Sequence, residues 1–205
     1  MTSLGKFPQL WYFDRISAKK APVCRLSMQF RPLAIPGVWL VELEKLADER
    51  GFFSRVFCSD AFQERGLCAS YPQWSVSFNI RRGTLRGLHF QAPPHAEIKL
   101  VSCTRGAIFD VAVDVRPGSR SHGRWVGVEL TADSGSALYI PAGFAHGFQT
   151  LTDDAEVLYH ISEPYRAEAA RGVRWDDADL AIAWPETEQR VISSRDRALP
   201  RLRDL

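Results

Sequence analysis

From residue 28 onward the apolar residues come in short runs, with Gly, Pro, Ser or Asp in the gaps. Runs at 38–43, 74–80, 84–91, 98–103, 107–115, 125–130, 137–140, 147–150 and 157–161 each have the length and apolar content that predict a β-strand. The stretch 48–53 predicts a turn leading into an aromatic strand, and 57–67 predicts a short helix. So many short strands at this spacing predict an all-β sandwich or barrel. The long periodic helix that a βαβ unit needs has no counterpart in the chain. Residues 1–27 differ from the rest: they are basic and show no clear period. They predict a mobile N-terminal extension ahead of one domain, 28–205.

Two of the runs alternate cleanly. In 108–115, Phe109, Val111, Val113 and Val115 share one face, and Asp110, Ala112 and Asp114 share the other. The strand taken alone predicts a half-exposed element with solvated aspartates. In a small barrel the second face lines a polar cavity instead, and Asp110 then becomes a site residue. Gln73, Ser75, Ser77 and Asn79 likewise alternate along one face, which on its own reads as a polar outer surface.

The run from Arg82 to Gln91 carries the most chemistry. It sets Arg82, Gly83, Arg86, Gly87 and His89 into an otherwise ordinary strand. Arginine presents a rigid fork of donors to phosphate or an oxyanion, and histidine moves protons near neutral pH. Together they predict a pocket that binds an anionic substrate and removes a proton from it. Arg86 and His89 are three residues apart, so a regular strand points them to opposite faces. A bulge at Gly87 would turn both into one pocket.

Composition narrows the field. Hydrophobic residues make up 45% of the 205, which suffices for a core, and 26 Lys+Arg against 24 Asp+Glu leave a formal charge of +2. That balance argues against nucleic acid as a partner. No apolar run is long enough to span a membrane, and no signal-peptide core is visible. Cys24, Cys58, Cys68 and Cys103 form no Cys-x-x-Cys pair, so reduced thiols and a cytoplasmic location are expected.

Pro141-Ala142-Gly143-Phe144-Ala145-His146, placed after a strand, resembles the second motif of the cupin superfamily of jelly-roll barrels. The chain has no His-x-His, so a metal site built from His89, His95 and His146 is poorly supplied with ligands. A wider pattern is more specific. Asp48 to Phe53, Leu85 to Gln91, Lys99-Leu100-Val101, Phe109 to Asp114, Ile140 to Phe148, Trp175-Asp176-Asp177 and Ile182 to Pro185 follow one another in register. In this order the chain resembles the dTDP-4-dehydrorhamnose 3,5-epimerase family from about Met28 to its end.

The resemblance implies a cupin-like jelly roll, all-β with a few short peripheral helices, assembled as a homodimer. It implies an isomerase acting on a nucleotide diphosphate 4-keto-6-deoxy sugar, with no metal or organic cofactor and no membrane partner. By the same resemblance His89 is the base, Asp196 its carboxylate partner, Tyr159 the acid, and Lys99 the neighbour of the developing enolate. Arg86 binds sugar or phosphate, Arg50 the nucleotide phosphates, and Tyr165 stacks on the base. Phe53 belongs to an aromatic stretch that can reach a neighbouring subunit's site. Gln73 and Ser75 fall in the family's polar set, Arg195 is a basic contact, and His146 with Asp110 forms a second pair. Each has a plainer alternative: a core histidine, a tail aspartate, an aromatic strand residue, a solvent-facing lysine. Arg55, Ser75 and Ala170 stand where many members carry Glu, Asn and Glu, which leaves the nucleotide open. A single-position epimerase, a metal-dependent cupin enzyme and a non-catalytic sugar-nucleotide binder remain as rival readings.

Overall fold

The computed structural model describes residues 28–205; the expected extension over 1–27 lies outside the described residues. Strands β1 (Met28–Pro32), β2 (Trp39–Leu43), β3 (Leu46–Asp48) and β4 (Gly51–Phe53) precede helix α1 (Ser59–Gln63). Eight strands follow: β5 (Gln73–Asn79), β6 (Thr84–Gln91), β7 (Lys99–Arg105), β8 (Ala107–Asp114), β9 (Trp125–Thr131), β10 (Ala137–Ile140), β11 (Phe144–Thr150) and β12 (Ala155–Ile161). The short strands β13 (Ala170–Gly172) and β14 (Val191–Ile192) and helix α2 (Ser194–Arg197) complete the chain, with one 3₁₀ turn at Leu202–Asp204.

The eight strands divide between two sheets, and the chain changes sheet at every step except β8 to β9. The first runs β1-β2-β10-β7-β12-β5, and the second β13-β6-β11-β8-β9 with β14 beside β6. Strands β5 to β12 thus trace the jelly roll the sequence leads one to expect, and β3 and β4 form a separate hairpin. Several strands outrun their predicted ranges, β11 the most: it starts at Phe144 rather than at 147, while β12 starts at Ala155 and β7 ends at Arg105. Gly143, at φ +80°, closes the turn, and Phe144 already pairs with Asp114. The Pro-Ala-Gly triplet is therefore the whole turn, and His146 stands inside the strand. No helix among the described residues is long and apolar enough to cross a membrane.

Three cores hold the sheets. Between them pack Val101, Ile108, Leu138, Phe144, Phe148 and Val157. On the outer face of the first sheet, Phe62 of α1 is fully buried with Val41, Leu100 and Tyr139, and its ring meets Phe30 edge-on at 5.0 Å. On the outer face of the second, Leu88, Val111 and Val113 meet Val173, Leu180 and Leu202 of the C-terminal segment.

That last layer corrects the reading of 108–115 as half-exposed. Asp110 and Asp114 are both 0% exposed. The outer face of β8 is covered by chain that lies far ahead in sequence, and its inner face is barrel interior. Burial raises the cost of a charge at Asp114, but Arg116 grips the carboxylate through two bonds of 2.9 and 2.7 Å, and the Ser119 and Ser121 hydroxyls donate at 2.6 Å. The bonds win, holding the carboxyl far below the usual range.

β5 is reversed in the same sense. Gln73, Ser75 and Ser77 oppose Ile161, Tyr159 and Val157 in register, so they face inward. The outward residues are apolar and open: Trp74 at 62%, Val76 at 60%, Phe78 at 46% and Ile80 at 70% exposure.

Candidate active site

The site is organised by a break in β6. His89 pairs with His146 of β11, but Arg86 pairs with Phe148, so three steps on one strand match two on the other. The extra residue is a bulge, and Gly87, at φ +117°, occupies it. A Cβ there would lie 2.6 Å from Gly147 Cα and 2.8 Å from the His146 carbonyl oxygen, so only glycine fits. The bulge cancels the odd spacing and directs Arg86 and His89 to the same interior face. Arg86 Nε donates to Asn79 Oδ1 at 2.8 Å, tying β6 to β5 across the gap between the sheets.

Asp196 locks the bulge to the histidine. Its Oδ1 is 2.7 Å from His89 Nε2, and its Oδ2 accepts the Gly87 N–H at 3.2 Å. Ser193 caps α2 by accepting the Asp196 N–H at 3.1 Å, which fixes the carboxylate on its helix. Burial pushes the Asp196 carboxyl upward; the bond to His89, the histidine's charge, the Gly87 N–H and the Ser193 hydroxyl outweigh it and hold the group below the ordinary carboxylate range. An ionised Asp196 selects the tautomer with the proton on Nε2 and leaves Nδ1 of the half-exposed His89 ring as the acceptor.

The inner wall carries the other polar groups. His146 Nε2 and Asp110 Oδ1 are 2.7 Å apart in a buried pair, and Asp110 Oδ2 has no hydrogen-bond partner among the described residues. The Tyr159 ring stands edge-on to His146 at 5.7 Å. Burial, reinforced by the Asp110 charge and only partly opposed by Arg86, pushes the Tyr159 hydroxyl well above its ordinary range, so it keeps its proton at neutral pH. Lys99 is buried on β7; its Nζ is 2.6 Å from Glu97 Oε1 and donates to the His89 carbonyl at 3.2 Å.

A cavity of about 290 Å³ opens onto this wall and is lined by His89, Lys99, Gln73, Tyr165 and Arg195, with Ala170 and Arg171 on its β13 side. Gln73 Oε1 accepts the Tyr165 backbone N–H at 2.9 Å and so holds the exposed tyrosine at the rim. Ile161 also lines the cavity, and Tyr159 and Ser75 are the next residues inward on the same faces of β12 and β5. Arg50 and Phe53 are not brought to it. They sit on the exposed β3–β4 hairpin, where the Arg50 guanidinium is paired with Asp48.

Glu97 and Gln91 escaped the sequence reading. Gln91 accepts the Arg166 N–H at 2.6 Å and donates to Pro164 at 3.3 Å, bracing the Tyr165 loop. The signal for Glu97 was its position two residues before Lys99, just ahead of β7. Among the described residues no three His, Cys, Asp or Glu side chains converge as a metal site would require.

A jelly roll whose inner wall holds two carboxylate-tied histidines, a buried ammonium and a neutral tyrosine is the scaffold of a proton-transfer enzyme. Residues 32–204 match the model of the family described as dTDP-4-dehydrorhamnose 3,5-epimerase. A relative of that name from Sinorhizobium fredii is 46% identical over 178 residues, covering 87% of this chain and 91% of its own. The structure of dTDP-6-deoxy-D-glucose-3,5-epimerase from Legionella pneumophila, in complex with dTDP-4-keto-L-rhamnose, superposes with a TM-score of 0.82 at 37% identity, over 86% of this chain and 94% of that one. A 3'-monoepimerase from Streptomyces bikiniensis, bound to dTDP-quinovose, gives 0.80 and 37% over 84% and 87%. The chain belongs to the dTDP-4-dehydrorhamnose 3,5-epimerase family and is an isomerase.

Proposed function

We propose that the protein inverts C3 and C5 of a nucleoside-diphosphate 4-keto-6-deoxyhexose in its β6–β7–β12 cavity. The observation that carries this reading is the His89–Asp196 pair facing the same cavity as Lys99. The C4 ketone acidifies the hydrogens on both flanking carbons. His89 Nδ1 removes one from one face of the ring, and the Lys99 ammonium stabilises the oxyanion that forms at C4. Tyr159 delivers its own proton from the opposite face; water then takes the proton from His89 and restores one to Tyr159, and the same steps invert the second carbon. Arg195 and Tyr165 at the rim suit a diphosphate and a stacked base.

The test is NMR of dTDP-4-keto-6-deoxyglucose incubated with the enzyme in D₂O. Deuterium at both C3 and C5 is expected. Label at one carbon alone would give the narrower activity of a monoepimerase, and absence of label at both would overturn the reading.

The proposal includes a homodimer. The apolar stripe Trp74, Val76, Phe78 and Ile80 lies at the open edge of the first sheet, the kind of edge that needs covering. A second copy covering it would also bring a β3–β4 hairpin, with Arg50 and Phe53, to the neighbouring subunit. Val76→Asp is expected to shift the protein from dimer to monomer in sedimentation equilibrium. A wild-type monomer at micromolar concentration would sink this part.

A further inference from the structure

Lys99 is an ammonium buried in the cavity wall, and the arrangement around it is unusually complete. Glu97 is itself buried; one of its oxygens takes Lys99 Nζ at 2.6 Å and the other accepts the Gln91 backbone N–H at 2.9 Å. Lys99 gives a second N–H to the His89 carbonyl. An ammonium has three donors. Two are spent on fixed protein partners, and the third is left for whatever enters the cavity that Lys99 lines.

Resting on the reading above, we infer that Glu97 is the positioning residue for the enolate-stabilising ammonium. It aims the one remaining Lys99 N–H at the C4 oxygen and supplies the counter-charge that a buried ammonium needs. The other ionisable groups around the cavity do not replace it. Glu163 is the one further carboxylate lining it, but no bond joins it to Lys99; Arg171 and Arg195 are cationic and oppose a charge on Lys99; His89 offers Lys99 only its carbonyl. The carboxylate's second bond, to Gln91, ties the ammonium to the strand that carries the base. A movement of β6 therefore moves base and ammonium together.

The inference separates Glu97 from a residue that merely fills space. In Glu97→Gln the shape is kept and the charge is lost. The melting temperature is expected to fall by several degrees with the fold retained, because the buried ammonium loses its counter-charge. kcat and kcat/KM should fall together by about 10- to 100-fold, with KM changed little, because the lost interaction is one that strengthens as charge develops on C4.

Wild type measured alongside is the reference. A wild type that exchanges no deuterium overturns the functional proposal, whereas an active wild type with an indistinguishable Glu97→Gln variant overturns this inference alone. A loss that falls on KM with kcat unchanged makes Glu97 a binding residue and overturns it too. Should the amide variant fail to accumulate folded, Glu97→Asp carries the test: charge kept and reach shortened, with kcat severalfold lower and KM little changed. Wild-type kcat, or a raised KM at unchanged kcat, in that variant would overturn the inference.

Discussion

His89→Ala eliminates solvent deuterium incorporation at both C3 and C5, a loss of about 10³-fold or more. Inversion at each carbon begins with removal of a hydrogen next to the ketone, and His89 is the one histidine of the cavity wall whose ring is both open to the cavity and oriented by a carboxylate. His146 is similarly tied to Asp110, but that pair is enclosed. One base suffices for two carbons if both hydrogens project to the same side of the ring. The alanine variant should still bind dTDP within a few-fold of wild type, because Tyr165 is held at the rim by Gln73 and α2, which carries Arg195, keeps the Asp196 bond to the Gly87 N–H. Retained binding with no exchange isolates the proton-transfer step. Exchange surviving at one carbon would assign that carbon's base to another residue, with His146 the first to examine.

The barrel was legible because the period-two runs and their turn residues are local signals. Which face of a run lies inside is not local. Asp110 and Asp114 looked solvated until chain from 173 to 202 was seen to cover the outer side of β8, and the polar row of β5 looked like surface until Tyr159 and Ile161 were found opposite it. The bulge could be inferred because chemistry required Arg86 and His89 together while alternation forbade it. Gly87, the only residue between them without a side chain, was the place to look. Asp196 could not be paired with His89 by spacing at all, since 107 residues separate them and only the return of the C-terminal helix joins them. Glu97 was missed for a different reason: a carboxylate beside a lysine reads as an ordinary surface pair until its burial is known.

Gly87→Ala lowers the melting temperature by roughly 10 °C and removes most of the exchange activity in the protein that remains folded. Two costs combine. The residue must hold φ +117°, where an L side chain is strained, and its new Cβ would meet Gly147 Cα at 2.6 Å and the His146 carbonyl at 2.8 Å. Both neighbours are backbone, so no flexible side chain can swing away. The two terms sum to on the order of 3 kcal/mol, and in a domain of this size 1 kcal/mol moves the midpoint by about 2–4 °C. The activity loss has its own cause. To relieve the contact β6 must shift away from β11, which breaks the Gly87 N–H bond to Asp196 and turns His89 from its carboxylate. Gly51→Ala separates the two costs, because Gly51 has a comparable φ of +128° in the β3–β4 turn but nothing within 4 Å of its would-be Cβ. Its melting temperature should fall by only a few degrees. Equal losses in the two variants would place the whole cost in the backbone angle and leave the close approach of β6 to β11 with no energetic role. Full exchange activity in folded Gly87→Ala protein would show that the bulge does not set the direction of His89.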